Sequence, residues 1–191
     1  MAMSSVFLRA MWRDPAGIGS IWPSSPALAR AMVRDAALSP DDRVVEVGAG
    51  TGPMTRELAA HPGPLFALEP EPTLAAAARR AAPTVEVVED VAESSPQLIA
   101  ARGWPHIDAL VSSLPFAAWE EDRQNRVLDA FTEVLAPGGR LVTFTYLLSR
   151  PTPAGRRFFR TLEARFGEVY VSPVVWACLP PCVVYRVRSR T

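Results

Sequence analysis

Three glycines at alternate positions form the segment of this 191-residue chain best suited to holding a ligand. Gly48, Gly50 and Gly52 follow a short β-branched run at 43–47 and precede a helical stretch that ends near Ala60. Glycine is needed where the backbone turns sharply and where a ligand must reach the main chain without an intervening side chain. The pattern therefore predicts a binding loop between a strand and a helix.

An acidic residue follows at the spacing that nucleoside binding requires. Glu69 closes the next predicted strand, 21 residues after Gly48. An acid at this place can accept hydrogen bonds from both hydroxyls of a ribose. The 20 basic residues are all arginine, so the lysine of a Walker-type P-loop is absent and a loop of that kind is excluded.

Other reactive side chains are few. Cys178 and Cys182 are separated by three residues with no histidine nearby, a spacing that fits neither a zinc knuckle nor a disulfide framework. We expect both to be reduced thiols. His61 and His106 stand singly beside prolines, so neither is expected to bind a metal or to join a catalytic triad, and no metal site is predicted.

The elements that must position the glycine loop alternate between strand and helix. This order predicts a parallel sheet covered by helices on both faces. Ser24-Ser25-Pro26 predicts a serine N-cap and a helix that continues to about Leu38. The other predicted strands are 65–68, 85–88, 108–112, 140–146, 168–171 and 182–188, the other predicted helices are 73–82, 94–102, 121–135 and 153–166, and a turn is predicted at Pro137-Gly138-Gly139.

Charge is unevenly distributed although the formal net charge is zero. Residues 1–40 carry +2, residues 41–139 carry −9 and residues 140–191 carry +7. A zero net charge argues against a nucleic-acid partner, because nucleic-acid binders usually have a basic excess. Basic ends that meet in space would form a positive face, and a solvated arginine-rich surface is the alternative.

The apolar pattern predicts a cytoplasmic protein. No apolar run reaches the roughly 18 to 20 residues that cross a bilayer, and the first residues have neither the charge pattern nor the cleavage site of a secretory signal. Residues 3–13 instead predict an amphipathic helix, with Phe7, Met11 and Trp12 on one side and Arg9 and Arg13 opposite.

The segment from Glu46 to Gly52 has the spacing E-x-G-x-G-x-G and resembles the signature of class I S-adenosylmethionine-dependent methyltransferases. The resemblance covers nearly the whole chain. It implies an α/β Rossmann-like fold, with a mostly parallel seven-stranded sheet whose last strand is antiparallel, and S-adenosyl-L-methionine as the cofactor. In this family the glycine loop contacts the methionine and ribose, the acid ending strand two holds the ribose, and an acid after strand three binds the adenine amino group.

Cofactor contacts are implied for fifteen positions. They are Ser24, Ser25, Glu46, Val47, Gly48, Ala49, Gly50, Thr51, Gly52, Glu69, Pro70, Asp90, Val91, Ser112 and Leu114.

More specifically, the chain resembles the bacterial phospholipid N-methyltransferases of the PmtA type. Three segments carry this resemblance: 7–25 with its Met11-Trp12-Arg13-Asp14-Pro15, Ser112-Ser113-Leu114-Pro115, and 179–186. It implies stepwise methylation of phosphatidylethanolamine towards phosphatidylcholine by a protein held peripherally at the inner face of the cytoplasmic membrane. The phospholipid substrate and an anionic membrane surface are its implied partners, with no obligate protein partner. Residues 1–38 would cover the cofactor and contact the membrane, and residues 39–191 would form the methyltransferase domain.

Methyl transfer to an amine requires a proton acceptor and a pocket for a cationic product. Tyr146 and Tyr185 are the candidate catalytic residues, because no histidine lies in a motif position. Aromatic faces hold cations by about 0.5–2 kcal/mol each, so Trp22, Tyr146 and Tyr185 are candidate substrate contacts. Arg186 is a candidate contact for the lipid phosphate.

Three other functions stay open. The ribosomal RNA adenine dimethyltransferases share the glycine loop, but their strand-four motif N-L-P-Y differs from Ser113-Leu114-Pro115-Phe116 here, which lacks the asparagine. Because the glycine loop is shared, an RNA adenine N6-methyltransferase stays one alternative. A methyltransferase acting on a small soluble amine is another, and a cofactor-binding protein without catalysis is the last.

Overall fold

The computed structural model describes residues 25–190, and the strands in this range form one seven-stranded sheet. Its spatial order is β3-β2-β1-β4-β5-β7-β6. The strands are β1 (Val44–Val47), β2 (Leu65–Leu68), β3 (Glu86–Val88), β4 (Ile107–Ser112), β5 (Leu135–Tyr146), β6 (Tyr170–Val171) and β7 (Cys182–Arg188). The neighbours among β1 to β5 pair in parallel, and β7 runs antiparallel to both β5 and β6. The predicted Rossmann-like architecture with an antiparallel last strand is confirmed.

Helices cover both faces of this sheet. One face is packed by α4, α5 and α6, whose buried side chains include Ile99, Phe131 and Phe158. The opposite face is packed by α1, α2 and α3. The helices are α1 (Pro26–Ala36), α2 (Pro53–Leu58), α3 (Pro72–Ala81), α4 (Ser95–Ala101), α5 (Glu121–Val134) and α6 (Pro153–Phe166).

Within residues 25–190, the predicted elements match the structure in order and type, and differ mainly at their ends. The predicted N-cap is confirmed, since the Ser25 side chain accepts a hydrogen bond from the Leu28 N–H at 3.1 Å. The Pro137-Gly138-Gly139 turn lies within β5, because Leu135 already pairs with Ile107 and the register shifts before Arg140 pairs with Ala109. The run at 168–171 is strand only at Tyr170–Val171.

The pairing register determines which side chains share a face of the sheet. Two neighbouring rows cross β1, β4, β5 and β7 and point to opposite sides. The row on the side of α5 and α6 contains Val47, Ser112, Thr143 and Tyr185. The row on the side of α1 and α2 contains Glu46, Val111, Val142 and Arg186.

The two cysteines lie in the core as free thiols. Between Ser25 and Arg190, the helices are all too short or too polar to cross a membrane.

Candidate active site

Backbone hydrogen bonds tie the glycine loop to the carboxyl ends of β1, β2 and β4. The N–H groups of Gly48 and Ala49 both donate to the Leu68 carbonyl, at 2.9 and 3.1 Å. The Ser113 N–H donates to the Val47 carbonyl at 2.9 Å. These bonds gather three strand ends at one edge of the sheet, which is the edge where parallel α/β sheets bind ligands.

Gly50 and Gly52 serve different purposes in this loop. Both have a positive φ, +57° and +87°. A Cβ at Gly50 would meet no heavy atom within 4 Å, so the space beside this backbone is open to a ligand. A Cβ at Gly52 would lie 2.7 Å from the Ala81 Cβ, so this glycine permits the close packing of the loop against α3.

Glu69 joins the end of β2 to the glycine loop. Its buried carboxylate accepts a hydrogen bond from the Gly50 N–H at Oε2 (2.8 Å) and another from the Glu71 N–H at Oε1 (3.1 Å). Burial raises the pKa of Glu69, and these two backbone donors partly oppose the rise. Each carboxylate oxygen can accept more than one hydrogen bond, so Glu69 can bind ligand hydroxyls while it holds the loop.

Glu46 is fully buried on β1, two residues before the loop. Neither of its carboxyl oxygens has a hydrogen-bond partner of normal geometry within the described chain. Burial raises the pKa of Glu46 to about 8; Thr55 partly offsets this shift and the charge of Glu69 adds to it. A buried carboxyl without a partner costs stability, so it points to a ligand that supplies one. A positively charged ligand group suits this position.

Asp90 follows β3 at the same edge. Its Oδ1 accepts hydrogen bonds from the Val91 N–H and the Ser94 hydroxyl, each at 2.7 Å. Its Oδ2 has no partner among residues 25–190 and can accept one from a ligand. Pro70 and Val91, the residues after Glu69 and Asp90, are exposed beside them.

The segment after β4 is held by side chains from two helices. The Ser112 Oγ accepts a hydrogen bond from the Leu114 N–H at 3.3 Å. Beyond it, buried Gln124 on α5 donates from Nε2 to the Phe116 carbonyl at 2.9 Å, and Arg157 on α6 donates to the Trp119 carbonyl at 3.1 Å. Sequence reasoning missed Gln124 and Arg157, because no motif connects them to the segment that they support.

The two candidate catalytic tyrosines lie on opposite faces of the sheet. Tyr185 is buried on the α6 side, and its hydroxyl accepts a hydrogen bond from Arg150 Nε at 3.2 Å. Tyr146 points to the α1 side, where its ring meets Phe144 edge-on with centroids 5.5 Å apart. The structure therefore does not bring the two hydroxyls to one point.

The environment of Tyr185 favours a positioning role over proton transfer. Burial raises the pKa of Tyr185, and Arg150 only partly offsets this shift. Its hydroxyl therefore holds its proton more tightly than that of an ordinary tyrosine, which makes it a poorer proton acceptor. No motif indicates that Arg150, 35 residues from Tyr185 in the sequence, contacts its hydroxyl.

Arg186 lies away from the glycine loop. It shares a row with Glu46 but is three strands distant, under the end of α1. There it donates from Nη1 to the Asp35 carbonyl at 3.2 Å, and its guanidinium stacks on Tyr170 at 4.5 Å from the ring centroid. This placement does not support the predicted contact with a lipid phosphate.

Several predicted residues cannot be placed. Trp22, Ser24 and the predicted helix 3–13 lie outside the described residues. Ser25 lies at the beginning of α1 as its cap, so its side chain is already engaged.

Comparison with known proteins decides the family. Residues 44–139, half of the chain, match the family described as Methyltransferase domain. The ornithine lipid N-methyltransferase of Singulisphaera acidiphila is 32% identical over 190 residues, which covers 96% of this chain and 95% of that protein. The chain belongs to the class I S-adenosylmethionine-dependent methyltransferases.

Two further comparisons define how far the likeness extends. This methyltransferase is 31% identical to the ribosomal RNA small subunit methyltransferase A of Thermotoga petrophila over 100 residues, 52% of this chain and 37% of that protein. Its fold matches the N-methyltransferase NodS of Bradyrhizobium japonicum WM9, solved with S-adenosyl-L-homocysteine, at a TM-score of 0.63 and 15% identity. That match covers 96% of this chain and 98% of NodS.

S-adenosylmethionine is the cofactor of this methyltransferase, and the residues at the strand ends fit it. When bound, the cofactor supplies an electrophilic methyl group on a positively charged sulfonium. The open backbone at Gly50, the unpartnered carboxyl of Glu46 and the free Oδ2 of Asp90 are three features that such a ligand satisfies. The assignment of ribose to Glu69 and of adenine to Asp90 stays a prediction.

Proposed function

We propose that this methyltransferase adds methyl groups to the primary amine of a membrane lipid headgroup. We propose phosphatidylethanolamine as the substrate, methylated stepwise towards phosphatidylcholine. One observation carries the proposal: the alignment with a lipid N-methyltransferase spans 96% of this chain, whereas the alignment with the ribosomal RNA enzyme spans 52%. The shared part of the RNA enzymes therefore reflects a common cofactor region more than a common acceptor.

Segments outside the matched domain add support. The motifs at 7–25 and 179–186, on which the resemblance to phospholipid N-methyltransferases rests, lie outside residues 44–139. These ends also hold the basic charge of the chain, which suits an anionic lipid surface. We place the enzyme peripherally at the inner face of the cytoplasmic membrane, without an obligate protein partner.

The reaction makes simple demands on the protein. Methyl transfer to an amine is an in-line displacement, so the protein must align the reactants and exclude water. The amine attacks only as the neutral base, so its ammonium form must first lose a proton. We assign Tyr146, at the carboxyl end of β5, as the proton acceptor for the reacting amine. Tyr185, on the opposite face of the sheet, is assigned as a supporting residue.

A second lipid substrate follows from the named relative. One protein that aligns over 96% of this chain is an ornithine lipid N-methyltransferase. Ornithine, like ethanolamine, offers a primary amine on a flexible alkyl chain, so the same displacement applies. Ornithine lipid is therefore our second candidate substrate.

Partition of a labelled methyl group among acceptor classes tests the proposal. The purified protein is incubated with methyl-labelled S-adenosylmethionine and, in separate reactions, with vesicles containing phosphatidylethanolamine, vesicles containing ornithine lipid, ribosomal RNA, or soluble ethanolamine. We expect label in the phosphatidylethanolamine fraction. Label confined to RNA or to soluble ethanolamine would exclude a lipid methyltransferase, and label confined to ornithine lipid would select the second candidate.

A further inference from the structure

We propose that the loops beyond the carboxyl ends of β5 and β6 form a membrane-docking surface. In it Leu148, Trp176 and Leu179 enter the lipid interface, and arginines at the beginning of α6 contact anionic headgroups. This inference rests on the proposed function, because it names the surface through which the enzyme would reach a lipid substrate.

Three large apolar side chains project into solvent at this end of the molecule. Leu148 is 75% exposed, Trp176 is 70% exposed and Leu179 is 66% exposed. A single exposed apolar residue is ordinary on a protein surface. Several together mark an interaction site, because each loses the favourable free energy of burial. We call these three residues the apolar tip.

The register places the apolar tip at one end of the sheet. Tyr146 pairs with Cys182, and Cys182 also bridges to Val175, so these three residues form the last rung of the sheet. Leu148, Trp176 and Leu179 belong to the chain segments that extend past this rung. The Leu147 N–H donates to the Pro181 carbonyl at 2.8 Å and fastens two of these segments to each other.

This end of the sheet is also the end that carries the glycine loop. β5 is parallel to β4, and β4 is parallel to β1, so all three end at the same edge. A lipid whose headgroup reaches the site would therefore leave its acyl chains on the side of the apolar tip. A protein partner on this surface would instead cover the entrance to the site.

Arginines without carboxylate partners lie beside the apolar tip. Residues 150–162 contain four arginines and no acidic residue. Within residues 25–190, Arg156 and Arg157 bond only to backbone carbonyls, those of Pro151 and Trp119, and Arg160 has no partner. These three line an open groove of about 510 Å³ on α6 together with Arg165, which pairs with Asp129.

The arginines of α6 and the apolar tip together indicate that this surface contacts an anionic bilayer. Arginine binds phosphate oxygens through a planar fork of donors, and a basic side chain is attracted by the negative surface potential of an anionic leaflet. Tryptophan is preferred at the boundary between headgroups and acyl chains. An anionic bilayer satisfies the arginines and the apolar tip at the same time.

The test compares vesicle binding with activity on a substrate that needs no membrane. The full-length protein is mixed with vesicles of phosphatidylglycerol and phosphatidylethanolamine, or of phosphatidylcholine alone, and bound protein is measured by sedimentation. The triple variant Leu148→Ser, Trp176→Ser, Leu179→Ser removes the apolar tip. Tyr170→Ser is the matched control, because Tyr170 is exposed but lies on the edge strand β6.

We expect the triple variant to bind the anionic vesicles at least tenfold more weakly, and Tyr170→Ser to bind as the native protein does. Both the native protein and the triple variant should methylate a short-chain phosphatidylethanolamine at equal rates when it is dispersed as monomers. The double variant Arg156→Gln, Arg160→Gln should lose the preference for anionic vesicles over phosphatidylcholine vesicles.

Three outcomes would overturn the inference. They are native vesicle affinity in the triple variant, an equal loss of activity on the monomeric lipid, and an unchanged vesicle preference in the arginine variant. If the native protein binds vesicles through the apolar tip but leaves every lipid unmethylated, the proposed function fails and the docking surface stands.

Discussion

The Glu69 carboxylate accepts a hydrogen bond from the Gly50 N–H at 2.8 Å, so the acid that ends β2 and the glycine loop that follows β1 form one unit. Glu69→Gln keeps the side-chain size but replaces one acceptor oxygen with a donor. A hydrogen bond to a charged group contributes about 1.5–3 kcal/mol. We therefore expect the variant to bind S-adenosylhomocysteine about 10- to 100-fold more weakly by isothermal titration calorimetry.

Glu57→Gln is the control for this substitution. Glu57 is a partly exposed acid on α2 whose carboxylate lies 3.8 Å from the Arg30 guanidinium. Its variant should bind the ligand with native affinity. Equal losses in the two variants would show that the general charge of the protein, and not the link between Glu69 and Gly50, sets the affinity.

Alanine substitutions should separate the two tasks of the glycine loop. Gly50→Ala adds a Cβ in open space, so we expect only about 1 kcal/mol of strain from the positive φ. Cofactor binding should nevertheless be lost, because the methyl group occupies the approach to the backbone. Gly52→Ala drives a Cβ against Ala81 and should lower the free energy of unfolding by more than Gly50→Ala does. Urea unfolding and calorimetry together measure both effects, and the reverse order of stabilities would contradict this division.

The buried Glu46 carboxyl should make stability depend on pH. In the cofactor-free protein its pKa is raised from 4.5 to about 8 by burial. Between these values the folded state keeps a proton that the unfolded state releases, so this group lowers stability as the pH rises, by at most about 1.4 kcal/mol per pH unit. Above about pH 8 its contribution becomes constant.

Glu46→Gln stays neutral and should remove this slope. The difference in unfolding free energy between variant and native protein should therefore rise in favour of the variant from pH 5 to pH 8. Urea denaturation at intervals across that range measures it. Parallel curves for the two proteins would mean that Glu46 ionises normally in the fold.

The two tyrosines should differ in their effects on turnover. A proton acceptor at the reacting group typically contributes 10²- to 10⁴-fold, so Tyr146→Phe should reduce kcat by about 100-fold or more. Tyr185→Phe leaves Arg150 without its partner but should change kcat much less, because the Tyr185 hydroxyl stays protonated. A larger loss of kcat in Tyr185→Phe than in Tyr146→Phe would reverse the assignment.

Much of the fold can be predicted from local signals. Ser25-Pro26 specifies the beginning of α1 through its cap and its fixed backbone angle, and the glycine loop marks the boundary between β1 and α2. The limits of β5 could not be predicted. Pairing with β4 extends this strand back to Leu135, across a turn that contains Gly138 at φ +75°, and such pairing is a tertiary effect.

The candidate site likewise contains residues that could be predicted from the sequence and residues that could not. Glu69 and Asp90 were predictable because acids at the ends of successive parallel strands meet at one edge. The separation of Tyr146 from Tyr185 was not, because it depends on the register between β5 and β7, which no local pattern encodes. Gln124 and Arg150 carry no motif, and only the packed structure reveals that they support Phe116 and Tyr185.

The most direct test of a lipid N-methyltransferase is the mass of its lipid product. The native protein is incubated with S-adenosylmethionine and vesicles containing phosphatidylethanolamine, and the extracted lipids are analysed by mass spectrometry over time. We predict headgroups carrying one added methyl group first and more highly methylated species later, with none formed by the Gly50→Ala variant. Unmodified phosphatidylethanolamine, in the presence of folded protein that binds S-adenosylhomocysteine, would contradict the proposed substrate.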